Sequence, residues 1–348
     1  MKVLDIRPII NAMKATVESH ELAQKGAYCR WLWQDNGNTR QLGINEYGCA
    51  DAMNILYTIN DFYCDKETRQ ARIDALKSLQ HEETGMFSEA THHTIHTTAH
   101  CTAALQLFDE KPLYKLKSLY QHMGREALFK FLENEVDWND PWPQSHKGAG
   151  IYAALVNADE ITEEFQKNYF EWFFENTDEK TGFWRSGYAD KAPIANHQHP
   201  DGRSMPDATY AYMAGGFHYM FNHEYAKMPL RYPEKVIDTC IEMYEKGGLP
   251  VNFGKDINFI EVDWIYCMNR AARQTTYRHD EVISLLSDFA EKYVDYLLTL
   301  DYTTHDRFND LHMLFGCVCA LAELQVALPG KIISEKPLKL VLDRRPFI

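Results

Sequence analysis

The chain has 348 residues, 45% of them hydrophobic, enough to bury a large core as one domain, and no stretch reads as a linker that would divide it. Its 36 Lys and Arg face 50 Asp and Glu, and the net charge of −14 excludes nucleic acid as a general partner because polyanions are repelled. No apolar run is long enough for a membrane span, the first residues show no secretory signal, and eight cysteines without a C-x-x-C pair read as reduced and buried, so a cytoplasmic protein is expected.

Residues 8 to 27 form the first expected helix. INEYGCADAMNILYTINDF follows as a second, with the polar stripe Asp51, Asn54 and Thr58 on an otherwise apolar helix. Residues 65 to 80 are a charged, solvent-type helix stopped by Gly85. The next helix, in EETGMFSEATHHTIHTTAHCTAALQLF, carries a histidine stripe. At about 100° per residue, His92, His96, His100 and His93 fall at about 0°, 40°, 80° and 100° and would share one face, lining a polar cavity.

An outer-type helix is expected at 113 to 135, and the two prolines of DPWP read as a loop before the small-residue helix HKGAGIYAALVN. Residues 160 to 176 are amphipathic and run into Lys180-Thr181-Gly182-Phe183-Trp184, an echo of Glu83-Thr84-Gly85-Met86-Phe87; EKGGLPVNF at 245 to 253 is a looser copy. A long polar loop spans 186 to 206. Helices are then expected in PDATYAYMAGGFHYMFN, 232 to 246, 261 to 276, 279 to 299 and 308 to 326. No stretch reads as a convincing sheet, and residues 327 to 348 read as an extended tail on the outside of a single domain.

Six charged helices alternating with six small or apolar ones, joined by Thr-Gly-aromatic turns, resemble the α/α toroid superfamily over roughly residues 8 to 326. The resemblance implies an all-α (α/α)6 toroid of six helical hairpins, with the inner helices ringing a pocket. It also implies a choice among six-hairpin glycoside hydrolases, polysaccharide lyases, sugar epimerases and the terpenoid cyclase and prenyltransferase group. No D-x-D-D acid of the cyclases occurs. Asp263, Cys267 and His312 imitate the prenyltransferase zinc set but depart from its spacing. Unsaturated-uronide hydrolases place catalytic aspartates in settings similar to Ala50-Asp51-Ala52-Met53-Asn54 and Val262-Asp263-Trp264-Ile265.

Cleavage of a glycosidic bond needs two carboxylates with separated pKa values, and Asp263 is the expected general acid with Asp51 as its water-activating partner. His92, His93, His96, His100 and His312, with Trp138, Trp184, Asp137, Asp207 and Tyr210, are the expected substrate-binding walls, and Arg270 is a candidate carboxylate clamp. His96 and His100 stand at i and i+4, but the Glu of H-E-x-x-H is missing, so neither metal nor cofactor is expected. The expected partner is a small molecule or oligosaccharide, with uronic-acid units favoured. Alternatives are a lyase or epimerase using His96 or His100 with a Tyr, a metal-dependent prenyltransferase or cyclase relative, and a non-catalytic sugar binder.

Overall fold

A computed structural model describes residues 2–185 and 209–348. The described chain is mostly helical, and its helices alternate in kind: α1 (Arg7–Ser19), α2 (Glu46–Thr58), α3 (Lys66–Lys77), α4 (Thr94–Gln106), α5 (Arg125–Lys130), α6 (Pro141–Asn157), α7 (Glu163–Glu175), α8 (Thr209–Ala226), α9 (Pro233–Lys246), α10 (Phe259–Ala272), α11 (His279–Leu297) and α12 (Leu311–Ala327). The even-numbered helices are buried on nearly every side, whereas α1, α3, α9 and α11 bury one stripe and leave the other to solvent.

The buried helices touch one another in cyclic order. Helix α2 packs on α4, α4 on α6, α6 on α8, α8 on α10 and α10 on α12, and α12 returns to α2. The sequence-distant join is tied by charge and backbone. Arg30 pairs with Asp310 at 2.8 Å, the Asn309 side chain accepts from the Leu32 N–H, and His20 meets the Asn309 carbonyl. Among the described residues no helix is long and apolar enough to cross a membrane. All eight cysteines are free thiols, and only Cys64 is exposed.

The repeated turns share one geometry. In the first, Gly85 N–H donates to the His81 carbonyl and His81 N–H to that of Met86; in the second, Gly182 and Asp178 reproduce both bonds with Asp178 and Phe183. The threonine before each glycine accepts from the backbone N–H two residues on, Met86 and Phe183. Both glycines have positive φ, +74° and +78°, and a Cβ at Gly85 would lie 1.8 Å from the Lys115 carbonyl oxygen, so no other residue fits. A related turn, unnoticed in the sequence, precedes α2: Leu22 N–H donates to the Ala27 carbonyl and Gly26 has φ +80°, but the Gly26 N–H goes to the Glu21 side chain at 2.9 Å.

Several expected boundaries move. Pro141 opens α6, because a proline at the first helical position loses no hydrogen bond and has its φ pre-set. The region read as one helix over 113 to 135 is instead a 3-10 turn (Lys117–His122), the short α5 and a π-type turn (Phe131–Glu135). A two-residue parallel pair joins β1 (Leu4–Asp5) to β2 (Ile332–Ile333).

The tail does not stay outside. After β2 it meets the last turn of α2, where Lys339 N–H donates to the Thr58 carbonyl, and then forms the short α13 (Val341–Arg344), which packs on α2 and α8. Arg345, Phe347 and Ile348 are buried; Arg345 bonds the Asn54 side chain, and Asn157 at the end of α6 donates to the Pro346 carbonyl. The segment thus enters the ring from the C-terminal ends of its helices.

Candidate functional site

A cavity of about 260 Å³ lies among the buried helices, walled by His92, His96, His146, His218 and His312 together with Trp142, Phe259 and Ile348. Five imidazoles on one small cavity arise because α4, α6, α8 and α12 each aim one inward, and His92 adds a fifth from the turn before α4. That helix begins at Thr94, with His93 as its N-cap accepting from the Ile95 N–H, so the four-histidine face divides. His92, His96 and His100 remain stacked along one side, with Tyr47 against all three rings. His93 turns to a second cavity of about 700 Å³ outside the ring, lined also by His81, His122, Glu135 and Lys147.

Behind the cavity wall lies a buried carboxylate. Asp51 accepts from His100 Nε2 at 2.7 Å and from His312 Nδ1 at 3.0 Å, and all three side chains are shut from solvent. Burial works against ionisation of Asp51, yet the two imidazoles hold its carboxyl well below the usual range. An ionised carboxylate only accepts, so His312 carries its proton on Nδ1 and leaves the Nε2 lone pair toward the cavity. Burial pulls His312 down to about 3 against the attraction of Asp51, and the ring is therefore neutral. Arg345, brought in by the tail, adds a buried positive charge to the field of Asp51.

Three of the other four cavity imidazoles are also held by a ring nitrogen. His92 Nδ1 meets Glu89 at 3.2 Å and Thr91 at 2.7 Å, His96 Nδ1 meets the Tyr47 hydroxyl at 2.5 Å, and His218 Nδ1 meets Ser145 Oγ at 3.0 Å. Burial first, and then the neighbouring histidines, push His96 and His146 well below their ordinary range, so these rings are neutral too.

The remaining expected residues lie elsewhere. Asp263 is fully buried on α10 and neither carboxyl oxygen has a hydrogen-bond partner; burial, reinforced by Glu261, pushes its pKa far up and keeps it protonated. It does not line the cavity. Tyr210 is buried edge-on to Trp142 at the cavity margin. Trp138 and Trp184 give their indole N–H groups to the carbonyls of Leu132 and Phe173 and pack among Trp172, Phe173 and Tyr219. Asp137 is exposed and caps the Asn139 N–H. Arg270 is buried near the end of α10 and paired with buried Glu323, part-buried Glu224 and exposed Asp343. Asp207 and the expected loop at 186 to 206 lie outside the described residues.

His146, His218, Phe259 and Ile348 are wall residues that sequence reasoning did not single out. Each of the two histidines stands beside small residues in a buried helix, in HKGAG and GGFHY, and a histidine on so small-residue a helix was the available signal. Compared with known proteins, the chain matches no family model, no curated protein and no solved structure.

Proposed function

We propose that the cyclic packing of α2, α4, α6, α8, α10 and α12 is that of an (α/α)6 toroid, and that its central cavity is an enzyme site for carbohydrate chemistry run by proton transfer to His312. The observation that carries this reading is the Asp51–His312 pair. A buried carboxylate fixes the tautomer and orientation of an imidazole whose free nitrogen faces a cavity, the arrangement that equips histidine as a general base. Hydrolysis by Asp51 and Asp263 has less support, because Asp51 is engaged by two histidines and no Asp or Glu side chain among the described residues lines the cavity.

The chemistry that suits such a base is removal of the proton next to a sugar carboxylate, as in uronide β-elimination or epimerisation. In elimination, the proton at C5 passes to His312 Nε2, its electron pair forms the C4–C5 double bond, and the C4–O bond breaks with its oxygen protonated by water. Trp142 and Phe259 offer apolar faces to a sugar ring, and the volume suits a single residue of a chain.

The test is to incubate the protein with saturated and unsaturated uronide oligosaccharides and follow ultraviolet absorbance and C5 configuration. A rising absorbance from the new double bond, or epimerised product, abolished in His312→Gln, supports the reading. New reducing ends without either change, unaffected by His312→Gln, would replace it with carboxylate hydrolysis.

A further inference from the structure

The cavity wall opposite His312 presents three imidazoles from three consecutive buried helices: His96 of α4, His146 of α6 and His218 of α8. One nitrogen from each lies within 4.8 Å of the others. In a tetrahedral site with metal–nitrogen bonds of about 2.05 Å, ligand nitrogens stand about 3.3 Å apart, so each ring would need to move inward by under about 1 Å. Such a movement lies within ordinary side-chain adjustment.

We propose that His96, His146 and His218 form a binding site for a divalent transition metal of the zinc type, with the fourth coordination position open to the central cavity. The inference goes beyond the proton-transfer reading, since it concerns three other side chains and stands whether or not His312 is a base.

The outer contacts are those a metal site needs. A ligating histidine usually donates its other N–H to a protein acceptor, which fixes the ring and the tautomer. His96 Nδ1 can donate to the Tyr47 oxygen, whose own hydroxyl has Thr97 Oγ1 at 3.5 Å as acceptor. His218 Nδ1 can donate to Ser145 Oγ, whose hydroxyl in turn donates to the Trp142 carbonyl at 2.5 Å. Each arrangement leaves Nε2 with its lone pair free. Neither nitrogen of His146 has a hydrogen-bond partner among the described residues, so it can turn to the ion without breaking a bond.

Three neutral ligands and an open position are the donor set of a catalytic zinc site, whereas closed structural sites use four protein ligands. Among the described residues the cavity wall includes no Lys or Arg, so a bound cation would also be the charge that an anionic ligand could meet there. The sequence argued against metal because the i, i+4 pair of α4 lacks the Glu of H-E-x-x-H and no cysteine pair accompanies it. The fold separates that pair: His100 is taken by Asp51, and His96 joins two rings from other helices.

The second three-residue group, Asp51, His100 and His312, is a weaker candidate because its carboxylate already accepts from both histidines. It therefore serves as the alternative location in the experiment. Full-length protein, free of any affinity tag and treated with chelator, is titrated with Zn²⁺ and with Co²⁺, read by calorimetry and by the visible Co²⁺ spectrum.

One ion per chain is expected. His146→Ala, which breaks no hydrogen bond, should keep the thermal unfolding midpoint of the metal-free protein and weaken binding by at least about 100-fold, more than outer-contact changes usually do. Tyr47→Phe should weaken it by about 10-fold, and His93→Ala should leave it unchanged. Failure of wild type to bind either ion overturns the proposal. So does an ion retained in His146→Ala and lost in His100→Ala, which would place it at Asp51.

Discussion

Replacing Glu261 by Gln should remove a loss of stability that the wild-type protein undergoes between mildly acidic and neutral pH. Glu261 is buried in the first turn of α10, where Oε1 accepts from the Gly254 N–H at 3.0 Å and Oε2 has no partner. Burial pushes its pKa to about 8 from the ordinary 4.5, Asp256 adds to the rise, and the Gly254 N–H and Arg307 oppose it. The folded-state value is the raised one, so the acid's contribution to stability is full below about 4.5, where both states are protonated. It is then lost as pH climbs toward 8, because the unfolded chain ionises first. The slope in that window is at most about 1.4 kcal/mol per pH unit, and the total is bounded by about 5 kcal/mol. Gln keeps the acceptor for Gly254 and cannot ionise. Urea unfolding of both proteins at steps between about pH 5 and pH 8 should show the variant gaining on wild type as pH rises. Two curves that stay parallel through this window would refute the assignment of a protonated, buried Glu261.

The same logic applies to Asp263→Asn, which should fold and be more stable than wild type in alkaline buffer, as thermal midpoints at two pH values would register. Asp51→Asn removes the charged acceptor that both His100 and His312 address, and a loss of about 1.5–3 kcal/mol is expected in denaturant unfolding. Gly85→Ala, with positive φ and a Cβ driven against the Lys115 carbonyl, should cost more than about 2 kcal/mol. Gly330→Ala, at φ +78° with open space around it, should cost only about 1 kcal/mol and serves as its control. Arg345→Gln should release the tail from Asn54, seen as faster hydrogen exchange over residues 341–348 and a loss of about 1–3 kcal/mol.

What the sequence by itself determined was local. The alternation of charged helices such as α3 with small-residue helices such as α6 follows from which residues tolerate water, and the turns at Gly85 and Gly182 follow from a backbone conformation that only glycine accepts there. A histidine stripe on α4 was visible for the same reason, since helical spacing sets angles within one helix. Tertiary structure decided where those angles point. The rotation of α4 against its neighbours sends His100 to Asp51 of α2 and His96 toward His146 and His218, contacts that join residues 49 to 122 positions apart. No spacing rule reaches across such distances. It also placed Trp138, Trp184 and Arg270 in packing and ion pairs away from the cavity, and it drew Arg345 and Phe347 into the ring. Each of those side chains has the right chemistry for a site, but a buried aromatic or cation takes whichever partners the packed helices bring near it, and burial without a partner is what the fold must avoid.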